Sequence, residues 1–161
     1  MSESEAKTSS IERVRAVLSA SGLALEAVEL DASTRTAQEA ADAICCTVSQ
    51  IVKSLVFRGG ESGEAILILA SGTNRVDEKR MAEIAGEKLL RADADFVRAE
   101  TGFAIGGVAP VGHIKPVKTF IDRDLQQYEE IWAAAGKPNA VFRLTPDDLV
   151  ALTQGAVVQI C

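Results

Sequence analysis

The sequence predicts a single α/β domain, with a curled, mixed, largely antiparallel and barrel-like sheet and helices packed outside it. Three observations lead there. Short apolar stretches of period two, about seven of them, are interspersed in irregular order with about five of helical period. Two of the strand-like stretches, 54–58 and 64–70, are separated only by a glycine-bearing turn, which implies an antiparallel hairpin rather than a chain of βαβ units. No repeat, low-complexity segment or linker divides the 161 residues, and that length suffices to bury one core.

The elements follow in order. Residues 1–8 are polar and acidic and read as a disordered lead, leaving 9–161 as the domain. Ser9 and Ser10 precede a helix in which Ile11, Val14, Val17 and Leu18 share a face, with Gly22 as its stop. Residues 23–30 read as a strand and 31–36 as a polar turn. Thr36 stands three residues before Glu39, the spacing of a capping box, and opens an alanine-rich helix. A helical turn from 47 to about 52 runs into the strand 54–58, with Lys53 at the junction. Leu55 and Phe57 alternate with Val56 in a strand partly buried on both faces.

Residues 64–70, EAILILA, have the apolar density of the most central strand. Asp77 caps a helix whose Met81 and Ile84 are expected to face the core, and Gly86 ends it. A short extended piece at 88–91 and a helix at 92–100 lead to a glycine loop. Strands follow at 117–122 and 130–134, then a turn at 136–139 and another strand at 140–144. Thr145 caps a last helix with Pro146 at its first position, and a strand at 156–160 closes the chain.

Composition removes several functional classes. Apolar residues are 47% and charged residues 25%, as in a globular protein, and no apolar run is long enough to cross a bilayer. The N-terminal residues lack the apolar segment of a secretory signal, and three unpaired-looking cysteines suit a reducing, cytoplasmic setting. With one histidine and no CxxC spacing, no metal site or cofactor is expected. Adjacent Cys45 and Cys46 read as small residues at a helix end. The net charge of −6 argues against a general nucleic-acid coat, although Arg75, Lys79, Arg80, Lys88, Arg91 and Arg98 gather locally among acidic residues.

Residues 101–113, TGFAIGGVAPVGH, hold four of the twelve glycines and the only histidine. Gly106 and Gly107 permit close approach to the main chain and Pro110 stiffens it, so the loop reads as a shaped backbone surface with apolar walls. It carries no Walker A or dinucleotide fingerprint, and the chain has no GxSxG.

VKSLVF at 52–57, an Asp-initiated helix VDEKRMAEIAG and then GGVAP at 106–110 occur in an order and spacing that resemble the YbaK/ProX family of aminoacyl-tRNA deacylases, similar to the editing domain inserted in bacterial prolyl-tRNA synthetases. The resemblance runs from about Arg35 to the terminal strand. It implies a trans-editing hydrolase, without cofactor or membrane attachment, that cleaves the ester of a mischarged amino acid, Cys, Ala, Ser or Thr, on the 3′ end of a tRNA such as tRNA-Pro. A prolyl-tRNA synthetase is a possible partner. The resemblance makes Lys53 the principal functional side chain, as an anchor for the terminal adenosine, a polariser of the ester or a base. An aminoacyl ester is already activated, so donors for a developing oxyanion and a positioned water or ribose hydroxyl suffice. Backbone N–H groups of Gly106, Gly107, Val108 and Ala109 are the candidate donors, with Pro110 orienting the turn.

Thr36 and Ser54 are candidates for the pocket mouth, or equally for cap and turn roles, and His113 lines the site or serves structure. Two departures leave the amino-acid specificity open. Family members that clear cysteine carry GGISP, where this chain has Ala109, and an acid after a glycine-lysine turn that GKPNAVF lacks. The alternative function is a non-catalytic module binding tRNA ends or a synthetase. A small-molecule esterase is a third reading.

Overall fold

The computed structural model describes residues 9–31 and 36–161. The expected disordered lead and most of the 31–36 turn lie outside them. Among the described residues there are eight strands and five α-helices. The helices are α1 (Ser10–Ala20), α2 (Ala37–Ile44), α3 (Glu78–Ala85), α4 (Ala94–Thr101) and α5 (Pro146–Thr153). The strands are β1 (Ala27–Glu29), β2 (Ile51–Gly59), β3 (Ala65–Ser71), β4 (Leu89–Arg91), β5 (Lys118–Asp122), β6 (Ile131–Ala134), β7 (Ala140–Leu144) and β8 (Ala156–Val158).

Capping chemistry sets most helix starts. The side chains of Ser9, Thr36, Asp77, Asp93 and Thr145 each accept from a backbone N–H in the first turn of their helix. Thr145 and Asp148 form a full reciprocal box, and Pro146 occupies the first turn, where its missing N–H costs nothing. Gly86 and Gly102 end α3 and α4 in the left-handed conformation.

One sheet runs β1-β7-β6-β2-β3-β5-β8, with β4 attached to β2 off that path. The β2–β3, β2–β4, β1–β7 and β6–β7 pairings are antiparallel, whereas β2–β6, β3–β5 and β5–β8 are parallel. The sheet is therefore mixed, and it stays open, with β1 and β8 as its ends. β3 lies inside, and its seven residues are all buried. Leu67 and Leu69 face one apolar cluster with α1, the glycine loop and β7, while Ile66 and Ile68 face a second with Met81 and Phe120. Burial of each such side chain is worth about 1.5–3 kcal/mol as an upper bound.

Several expectations need correcting. The strand expected over 23–30 is ladder-paired only at Ala27–Glu29, because β7 offers three partner positions there. The turn before β2 is a 3-10 helix, Val48–Gln50, and the strand starts at Ile51, so Lys53 lies inside the strand rather than at a junction. Ile84 is 40% exposed, and α3 turns Met81 and Ala85 inward instead.

The sheet forks at β2. One edge of β2 pairs with β3 from Val52 to Arg58. The other edge is shared, since β6 pairs at Ile51 and Val52 and β4 at Phe57 to Gly59. Lys53, Ser54, Leu55 and Val56 fall between those two registers.

Candidate active site

The fork opens into a cavity of about 360 Å³. Its walls come from five places: Ile51 to Leu55 of β2, Trp132, Ala133 and Ala134 of β6, Val141 of β7, Ala37 and Ala40 of α2 with Thr36, and Ile105, Gly106 and Val108 of the glycine loop. The volume lies in the range of small-ligand sites. Small side chains make the room, for alanine supplies four of these lining positions.

Strand alternation separates Lys53 from Ser54. Val52 and Val56, the neighbours of Ser54 on its face, pack on the cluster containing Val108 and Ala109, while Leu55 and Phe57, on the face of Lys53, pack on the cluster of Met81. Both residues line the cavity at the stretch of β2 that neither β6 nor β4 covers. The Lys53 ammonium donates to the main-chain carbonyl of Asn74 at 2.6 Å. Burial lowers its pKa below the ordinary lysine value, the nearby Arg75 lowers it further, and Asp122 opposes both. An ammonium has three donors, so this bond leaves two for a ligand. The Ser54 hydroxyl is buried without a hydrogen-bond partner among the described residues.

The glycine loop is held from behind. Arg13 of α1 donates to the carbonyls of Gly102 at 2.6 Å and Gly112 at 3.2 Å, and its guanidinium lies 4.9 Å from the centre of the Phe103 ring. The Nε2–H of His113 donates to the Ala109 carbonyl at 2.8 Å, and its ring meets Phe103 edge-on at 5.8 Å. Gly106 takes φ 93°, which only glycine adopts freely. Gly107 is needed for another reason. A Cβ there would sit 3.1–3.3 Å from the main chain of Lys137, so what approaches this glycine is the 136–139 turn of the same chain.

The predicted residues divide accordingly. Lys53, Ser54, Gly106, Val108 and Thr36 line the cavity at the fork. Thr36 also caps α2 through its hydroxyl, which accepts from the Glu39 N–H at 3.0 Å. Gly107 and Ala109 are buried behind it, and Pro110 and His113 line a separate surface depression with Lys115 and Leu152. The Gly107 N–H closes the loop on the Ala104 carbonyl at 3.0 Å. The N–H groups of Gly106, Val108 and Ala109 have no partner among the described residues. Burial lowers the His113 pKa and pushes the Cys46 thiol up, so neither is tuned as the charged species. Sequence reasoning missed Trp132, Ile105, Ala37 and Ala40, and it missed Asn74, which holds Lys53. The parallel β2–β6 pairing, which brings Trp132 beside Ile51, leaves no local sequence signal.

The aminoacyl-tRNA editing domain family matches residues 31–152. The Bacillus subtilis (strain 168) protein YwhH is 34% identical over 124 residues, covering 77% of this chain and 78% of its own. An Enterococcus faecalis (strain ATCC 700802 / V583) protein named "Putative Cys-tRNA(Pro)/Cys-tRNA(Cys) deacylase EbsC" is 29% identical over 126 residues, covering 78% and 76%. A solved structure described as "a putative trans-editing enzyme for prolyl tRNA synthetase" superposes with TM-score 0.88 at 51% identity, covering 94% of this chain and 96% of that one.

Proposed function

We propose, from its membership of the aminoacyl-tRNA editing domain family, that this chain clears small mischarged amino acids from tRNA-Pro. The chain is an aminoacyl-tRNA deacylase. One observation carries the finer reading. Lys53 and Ser54 of β2 line one cavity with Gly106 and Val108 of the glycine loop, and the remaining walls are mostly small and apolar. Such a space suits the aminoacyl end of a tRNA whose side chain is alanine, serine, cysteine or threonine. The names of the Enterococcus faecalis relative and of the superposing structure support proline's tRNA and a prolyl-tRNA synthetase as the enzyme served, and the proposed setting is the cytoplasm, where charging occurs.

The reaction is hydrolysis of a carboxylic ester. Water adds to the carbonyl carbon, directly or after relay through the free ribose hydroxyl, and the carbonyl oxygen becomes an oxyanion. The bond from carbon to the ribose oxygen then breaks, that oxygen takes a proton, and free amino acid and uncharged tRNA leave. Gly106 and Val108 line the cavity, and their N–H groups, without a partner among the described residues, are the proposed donors to the oxyanion. The remaining Lys53 donors hold the ester carbonyl or the terminal nucleotide. Because the Gly107 N–H is spent inside the loop, its contribution is to let the 136–139 turn brace the wall.

Ser54 lines the cavity with its hydroxyl buried and without a partner among the described residues, and a polar site rejects analogues that leave its groups unpaired more strongly than an apolar wall rejects a methylene. The test is release of labelled amino acid from tRNA-Pro charged with alanine, serine, cysteine, threonine or proline, alongside the same amino acids on their own tRNAs. Rapid release from the small mischarged species, sparing Pro-tRNA-Pro, is expected. Binding of tRNA without release of any amino acid would instead fit a non-catalytic module.

A further inference from the structure

We propose that Asn74 is a positioning residue for Lys53, locking the turn whose main-chain carbonyl holds the ammonium. This rests on the role given to Lys53 above. Lys53 stands opposite Ala70 in the β2–β3 ladder, and the chain turns immediately beyond it at 71–75. The Asn74 carbonyl that receives the ammonium at 2.6 Å is therefore only as well placed as that turn.

The turn is fixed by the side chain of the same residue. The Asn74 amide donates to Asp122 Oδ2 at 2.8 Å and to Asp124 Oδ2 at 2.7 Å. Asp122 is 1% exposed and immobilised in turn, since it accepts from the Ser71 N–H at 3.0 Å and the Asp124 N–H at 2.9 Å. The Ser71 hydroxyl donates to the Ser49 carbonyl at 2.7 Å, tying the network to the 3-10 turn that starts β2. One residue thus links the lysine to the ends of β3 and β5.

The chemistry of the link has a consequence for Lys53. Asp122 lies near enough to act on the ammonium electrostatically, yet no ion pair joins Lys53 to a carboxylate among the described residues. The neutral amide of Asn74 occupies the carboxylates, and a neutral carbonyl receives the lysine. The ammonium is held without being neutralised, so its charge and two of its donors stay available to substrate.

The test compares Asn74→Ala and Asn74→Asp with the parent protein by two readings. The first is kcat/KM on mischarged tRNA. The second is competitive labelling of Lys53 with acetic anhydride across pH, without substrate, resolved by peptide mass spectrometry. The charged groups that bear on the Lys53 titration are Arg75 and Asp122, and Asp124 shares the Asn74 amide with Asp122. Loss of the anchor frees the ammonium to reach solvent or Asp122, so labelling is expected to shift to higher pH, toward the ordinary value of 10.5. Turnover is expected to fall about 10- to 100-fold in kcat/KM. Asn74→Asp keeps the size of the side chain and is read by kcat/KM alone if Asn74→Ala does not fold, because its added carboxylate raises the Lys53 pKa whatever the turn does. A folded variant with unchanged Lys53 titration and unchanged kcat/KM would overturn the proposal. Lys53→Ala serves as the separate control: full activity there removes the role of Lys53, while the labelling result still decides whether Asn74 positions it.

Discussion

Lys53 and His113 are the two titratable residues picked from the sequence for the site, and their surroundings give them different work. Lys53 is half-buried at the cavity, with one hydrogen bond to a neutral carbonyl. His113 stands behind the glycine loop, and its Nε2–H secures Ala109. Burial depresses the His113 pKa below its ordinary 6.5, so the unfolded chain takes up its proton first as the pH falls. The contribution to stability is full above 6.5 and is lost as pH drops through the folded value. Thermal unfolding at about pH 8 and about pH 5 should therefore show a steeper loss for the parent than for His113→Gln, which keeps a donor for Ala109 but does not titrate. Equal pH dependence in the two proteins would remove His113 as the source. Nothing in the sequence assigned these surroundings, because Asn74 reaches Lys53 through the turn beyond β3 and the irregular path of the glycine loop brings the Ala109 carbonyl to His113.

At the scale of elements, the glycine loop depends on parts of the chain distant in sequence. Arg13 belongs to α1, outside the matched family region 31–152, yet it bonds the loop at both ends. Arg13→Met keeps most of the apolar stem and removes both bonds together with the guanidinium over Phe103. It should lower stability by about 1–3 kcal/mol and slow deacylation, as measured by urea denaturation and by kcat/KM. If the variant matches the parent in both, the clamp is idle. Gly107→Ala should also cost about 1–3 kcal/mol, since the Lys137 main chain must yield a few tenths of an ångström. The loop was legible as stiff and glycine-built, because proline and paired glycines declare it. That the close approach comes from the 136–139 turn was not legible, since the sequence does not say which segment packs there. Helix caps were the most readable elements, for Thr36, Asp77 and Thr145 each act within three residues of themselves.

For the molecule as a whole, the candidate site owes its cavity to the fork in the sheet. Had β6 continued along β2, Lys53 to Val56 would be covered and no cavity would form. Hydrophobic period and turn chemistry revealed a mixed α/β domain with an inner strand at 64–70, observed at Ala65–Ser71. They did not reveal which strands are neighbours, and the parallel β3–β5, β5–β8 and β2–β6 pairings are joined through intervening elements. Cavity size follows from the small residues on its walls. Ala134→Leu should fill part of it, with release of threonine falling about 10-fold or more relative to alanine, read from the two rates on tRNA-Pro. Parallel losses for both substrates would place the side chain of the substrate elsewhere.

The most direct measurement of the central claim is single-turnover deacylation of mischarged tRNA-Pro by the parent and by Lys53→Ala, with tRNA binding measured in parallel. A fall of about 100-fold or more in the hydrolysis rate is predicted for a folded variant. Hydrolysis at the parental rate by Lys53→Ala would contradict the account.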